Sequence, residues 1–188
     1  MKNLPCYSNP DVQEDFTKRI REVCEEEEIS DQDLEIVKIL APLTDNPNAP
    51  NKWGYTIHNA AHNGQTEIVK ILAPLTDNPN APNKWGYTPI HKAAQFGHTE
   101  IVKILAPLTD NANGPNWNGN TPIYWAARFG HTEIVKILVS LTDNPNAPNK
   151  SGVTPYEYAK TEIREILENF KTSKNHNQCR NTKQSMIV

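Results

Sequence analysis

Apolar positions return along this chain as one block, Ile-Val-Lys-Ile-Leu, which begins at Ile36, Ile68, Ile101 and Ile134, at intervals of 32, 33 and 33 residues. Self-similarity at a period of about 20–50 residues marks stacked units, each too small to bury its own apolar face. In the unit around Ile101, the residues Ile101, Val102, Ile104, Leu105 and Leu108 keep the three- and four-residue spacing of a broad helical stripe, so all five are expected in the core. Thr99-Glu100 opens that helix with a carboxylate near the positive end of its dipole. A shorter helix precedes it. Thr88 offers a capping hydroxyl, Pro89 takes the first helical position where its missing N–H costs nothing, and Gly97 ends the helix in the left-handed region. The pair Ala93-Ala94 lets the two helices approach closely.

The same start recurs as Thr-Ile-His-Asn-Ala-Ala (56–61) and Thr-Pro-Ile-Tyr-Trp-Ala-Ala (121–127). Between units, residues 76–87 are dense in Asn, Pro, Asp and Gly, which predicts a long loop ending in a projecting hairpin. Two local disturbances follow from the residues. Pro42, Pro74 and Pro107 sit in the last turn of the second helices, which should fray there or end differently. Unit 51–82 lacks the proline between Thr56 and Ile57, and a one-residue deletion rotates a helix by about 100° unless the loop absorbs it.

Two antiparallel helices and a β-turn finger at a 33-residue period, with Thr-Pro-Ile-His-Lys-Ala-Ala (88–94) followed by Gly97-His98, resemble the ankyrin repeat family over roughly 34–170. The resemblance implies an all-α solenoid of helix-turn-helix units with β-hairpin-like loops: a half unit (34–50), full units (51–82, 83–115, 116–148) and a shortened last unit (149–170). Thr44, Thr76, Thr109 and Thr142 stand where the family usually has a glycine after the second helix. In the last unit the turn between helices is missing, since Thr154 to Thr161 is 7 residues where Thr121 to Thr132 is 11. Glu162, Arg164, Glu165 and Glu168 give that unit the polar outer face of a terminal cap.

Residues 1–33 read as an N-terminal capping helix and linker. Asn9-Pro10-Asp11 starts the helix, Val12, Phe16, Ile20 and Val23 share one face of it, and Ser30 with Asp33 starts the next. Residues 171–188 read as a disordered basic tail, polar and aperiodic, with four cations and no acidic side chain. The tail ends in Met186-Ile187-Val188, an apolar end of the kind PDZ-type domains take up. Residues 1–30 sum to about −4 and the tail to about +4, so the two ends attract weakly.

A net charge of −3 over 188 residues argues against a nucleic-acid or anionic-membrane surface. Cys6, Cys24 and Cys179 are odd in number and widely spaced, which suits a reducing compartment, and no apolar run approaches a membrane span or a signal h-region. The cytoplasm, or the nucleus, is expected, for a monomer. No Gly-rich phosphate loop, HExxH or Gly-x-Ser-x-Gly occurs, so no enzyme, metal site or cofactor is expected.

The family resemblance implies protein recognition by fingertips and by the concave face of the first helices. Aligning the units on one another shows where those positions vary: Lys52, Trp53 and Tyr55; Lys84, Trp85, Tyr87, Lys92, Gln95 and Phe96; Trp117, Asn118, Asn120, Trp125, Arg128 and Phe129. Trp, Tyr and Arg carry much of the energy at protein interfaces. The bland alternative is that fingertip aromatics stack on the next finger, and that His58, His91, His98 and His131 hydrogen-bond scaffold backbone. Nucleic acid is the alternative partner, opposed by Asp45, Asp77, Asp110 and Asp143 along the same loops. The resemblance also implies that Asn48, Asn80, Asn113 and Asn146, each eight residues after a leucine, are candidates for asparaginyl hydroxylation, though Pro or Ala precedes them where the family has Val.

Overall fold

The structure, a computed structural model, describes residues 9–51 and 54–170. Helices α1 (Pro10–Glu25), α3 (Thr56–Asn63), α5 (Pro89–Phe96), α7 (Pro122–Phe129) and α9 (Pro155–Tyr158) pack side by side in an inner row. Helices α2 (Asp31–Leu40), α4 (Thr66–Leu72), α6 (Thr99–Leu105) and α8 (Thr132–Val139) form an outer row behind it, and α10 (161–170) follows α9. Helices α1, α3, α5 and α7 each also pack on the outer helix that follows, so one apolar layer runs along the stack. In that layer Ile57, Ile90 and Ile123 of the inner row and Ile68, Ile101 and Ile134 of the outer row are fully buried.

The caps form as the residues dictate. Asn9 accepts from the Asp11 amide, and Ser30 and Asp33 make a reciprocal capping box on α2. Thr88 and Thr121 cap α5 and α7, which end at Gly97 and Gly130 with φ of 81° and 80°. At Pro42, Pro74 and Pro107 the α-helices give way to one turn of 3₁₀-helix (Ala41–Leu43, Ala73–Leu75, Ala106–Leu108). A proline cannot donate the next α-type bond, and the tighter turn accommodates it. That turn points Leu108 outward, 49% exposed, so it leaves the stripe assigned to it, as do Leu75 and Leu141 in their units.

The one-residue deletion does not rotate α3. Asn48 Oδ1 accepts from the Ile57 amide nine residues on, where Asn80 and Asn113 reach Ile90 and Ile123 ten residues on. Thr56 therefore stands buried where Pro89 and Pro122 stand, and the finger absorbs the missing residue. This finger forms a short antiparallel pair, β1 (Pro50–Asn51) with β2 (Gly54–Tyr55). At the other end Glu162, Arg164, Glu165 and Glu168 are all exposed on α10, and Glu162 reaches back to Lys136 of α8 at 3.4 Å.

Candidate functional site

The three fingertips that follow the first are each built on an asparagine and a glycine. Asn83 Oδ1 accepts from the amides of Trp85 and Tyr87, and Asn116 and Asn149 do the same for Asn118 and Asn120, and for Ser151 and Val153. Gly86, at φ 79°, lets the tip turn back, and a Cβ there would come within 2.7 Å of the Trp117 backbone. Successive fingers touch through backbone: Trp117 N donates to Trp85 O, and Lys150 N to Asn118 O. Trp117 also donates its indole N–H to Lys84 O at 2.9 Å while remaining 59% exposed, so it both staples two fingers and shows a face to solvent.

Imidazoles tie the inner helices to these fingers. His58 Nε2 lies 2.8 Å from Tyr87 O and His91 Nε2 3.0 Å from Asn120 O, each reaching the following unit. Burial pushes both imidazoles down to about 4, so they are neutral donors at physiological pH. His98 and His131 bond backward, to His62 O and Gln95 O, and Gln65 fills the corresponding place in its unit by donating to Glu26 O and Val23 O.

On the inner row the side chains that face away from the core form an aromatic cluster. Trp125 stacks on Phe129 at 6.2 Å and 11°, meets Tyr124 edge-on at 5.4 Å, and lies 6.0 Å from Tyr87. Arg128 sits over both Trp125 (5.8 Å) and Tyr158 (5.1 Å), and Lys92 over Tyr87 (5.1 Å). Phe96, Phe129 and Tyr158 are each more than two-fifths exposed. Toward α1 the face deepens into a groove of about 640 Å³, whose walls include Glu25, Glu27, His62, Asn59, Trp85 and Lys92.

A family profile described as "Ankyrin repeats (3 copies)" matches residues 28–113, 57–151 and 108–178, overlapping segments that together span most of the chain. The chain belongs to the ankyrin repeat family. No curated protein matches it. Ankyrin repeats are generally protein–protein interaction modules and typically non-catalytic. Among the described residues of this ankyrin array no group of three or more His, Cys, Asp or Glu could hold a metal ion, and no helix is long and apolar enough to cross a membrane.

The array brings most of the sequence-selected residues to one side. Tyr87, Lys92, Trp125, Arg128 and Phe129 form the cluster, while Trp85, Gln95 and Lys92 line the groove. Phe96 packs on His62 at 4.2 Å beside them. Lys84 lies over Trp85 at the exposed tip, next to exposed Asn118. Asn120 is a joint instead, its carbonyl bonded to His91 and its Oδ1 to Asn149. Lys52 and Trp53 lie outside the described residues, as do the tail, the side chain of Tyr55, Cys6 and Cys179. Asn48, Asn80 and Asn113 are buried and Asn146 half-buried; each accepts from the amide that opens the next inner helix, at Ile57, Ile90, Ile123 and Tyr156. Tyr124, itself buried, joins the cluster without having been selected. It occupies the place of the scaffold histidines His58 and His91, whereas Tyr158 aligns with Lys92 and Trp125, four residues after the threonine that opens its helix. Glu25 and Glu27 reach the groove only because α1 takes the first place in the inner row, which no local signal announces.

Proposed function

We propose that this ankyrin array is a non-catalytic adaptor that binds a partner protein along its fingertips and inner-helix face, centred on units 83–115 and 116–148. The observation that carries the reading is the aromatic cluster in which exposed Phe129, Tyr158 and Arg128 surround half-buried Trp125, large rigid surfaces with a cation among them. Nothing in the scaffold's own packing requires Phe96, Phe129 or Tyr158 to stay in water. The array works as a monomer in the cytoplasm or nucleus; buried Cys24, its thiol pushed up to about 12 by desolvation, is an inert core residue there.

The test compares wild type with a Trp117→Ala, Trp125→Ala, Phe129→Ala variant of unchanged helical circular dichroism, and with Leu108→Ala on the outer row as control. A partner captured by wild type and the control but lost from the triple variant is expected. Equal capture by all three would move the site off this face. Hydroxylation of Asn48, Asn80, Asn113 or Asn146 remains a separate proposal. Each of these side chains caps a helix, so modification requires the loop to open, and intact mass of native protein showing no added oxygen would remove it.

A further inference from the structure

Two sets of cations in this array differ in their partners. On the outer row Lys38, Lys70, Lys103 and Lys136 each pair with the glutamate three residues earlier. On the inner row Lys92 and Arg128 lie over aromatic rings, and among the described residues neither reaches a carboxylate. Lys92 is half-buried, and desolvation lowers its pKa, the mark of a charge that has given up water without gaining a counter-ion. Beside them the indole N–H of Trp125 is shut away with no acceptor, a cost that a ligand drawing the ring outward would relieve.

Lys92 and Arg128 stand on adjacent inner helices, α5 and α7, with Arg128 one helical turn further along its helix than Lys92 is on its own, so the two charges run obliquely across the face. A polyproline II strand is extended and leaves every third side chain on one face, and its rings suit an aromatic floor. Resting on the binding role given above, we propose that the inner face holds an extended acidic segment of the partner protein, with carboxylates opposite Lys92 and Arg128. Glu25 and Glu27, at the α1 end of the groove, set the limit of the acidic stretch and favour a basic or neutral residue there. Those two carboxylates and the aspartates of the loops also disfavour a phosphate backbone.

The experiment uses the full chain and labelled peptides of repeating Glu-Pro-Pro, Gln-Pro-Pro or Lys-Pro-Pro triplets, followed by fluorescence anisotropy. Wild type should bind the Glu peptide about tenfold tighter than the Gln peptide, as for close interfacial charge pairs. Lys92→Gln with Arg128→Gln should abolish that preference, and Lys92→Glu with Arg128→Glu should turn it toward the Lys peptide. Circular dichroism confirms that each variant is folded. Equal binding of Glu and Gln peptides, binding of none, or a preference that survives the Gln variant would overturn the acidic segment. A dT oligonucleotide that outcompetes the peptide with a steep salt dependence would assign the cations to phosphate, and would overturn it as well. A captured partner that still binds the Lys92→Gln, Arg128→Gln variant but not the Trp125→Ala, Phe129→Ala pair would leave the adaptor reading standing and remove only its acidic ligand.

Discussion

The two rows of helices differ in how freely their sequence varies. The outer row repeats Thr-Glu-Ile-Val-Lys-Ile-Leu letter for letter at 66–72, 99–105 and 132–138. The inner row keeps only what faces the core: Ile57, Ile90 and Ile123 with the alanine pairs behind them, all fully buried. Its outward positions run Asn59, Lys92, Trp125 and then His62, Gln95, Arg128. Both rows have the same helix-forming task and similar burial, so stability alone does not account for the contrast. What distinguishes the inner row is an outward face whose side chains contact one another rather than the buried layer, so the stacking of units does not fix their identity.

The largest effect expected on this scaffold comes from protons. His58 and His91 titrate near 4 in the fold against about 6.5 in the unfolded chain, so between those values the unfolded state binds more protons. Stability is then full above about pH 6.5 and falls by about 1.4 kcal/mol per pH unit for each histidine, levelling near 4. Urea midpoints that stay flat from pH 7 to 5 would show that the imidazoles are not held neutral. Next in size, Ile101→Ala empties a fully buried site and should cost about 3–4 kcal/mol, whereas Leu108→Ala on the exposed 3₁₀ turn should cost under about 1 kcal/mol, both read by chemical denaturation. Gly97 and Gly130 sharpen the comparison between joints. Both have positive φ, but a Cβ on Gly97 would stand 2.6 Å from the His131 ring and one on Gly130 3.3 Å from flexible Lys160. Gly97→Ala should therefore destabilise by about 2 kcal/mol and Gly130→Ala by about 1 kcal/mol. The smallest change in stability, within about 0.5 kcal/mol, belongs to Phe129→Ala, half-exposed on the inner face. The same substitution should weaken partner binding by at least about tenfold; a large loss of stability would make Phe129 scaffold.

Most of the architecture was legible because the period, the Thr-Pro helix starts and the left-handed glycines are local signals that recur. What local signals could not resolve was compensation. The deletion before Ile57 left open whether helix or loop would move, and the answer depends on Asn48 anchoring Ile57 from the preceding loop. Leu108 obeyed the helical period but lies past Pro107, where the helix has already changed pitch. The face itself was readable wherever one unit departs from another, which singled out Trp125 and Arg128. Tyr124 escaped because it replaces a scaffold histidine, and Glu25 and Glu27 because their place depends on how a helix outside the repeats docks.

A row of like units is a one-dimensional lattice, and the coupling at each joint decides whether it melts together or peels. Imidazole bridges span the joints after His58 and His91, but at the third joint Tyr124 instead accepts at its hydroxyl from Arg128 of its own helix. That joint retains finger contacts and the Glu162 clasp, yet it lacks the buried strut of the other two. The last unit is thus the expected starting point of unzipping. A partner laid across Trp125 and Tyr158 would act as a splint over this seam, so that occupancy is felt as slower hydrogen exchange in α9 and α10.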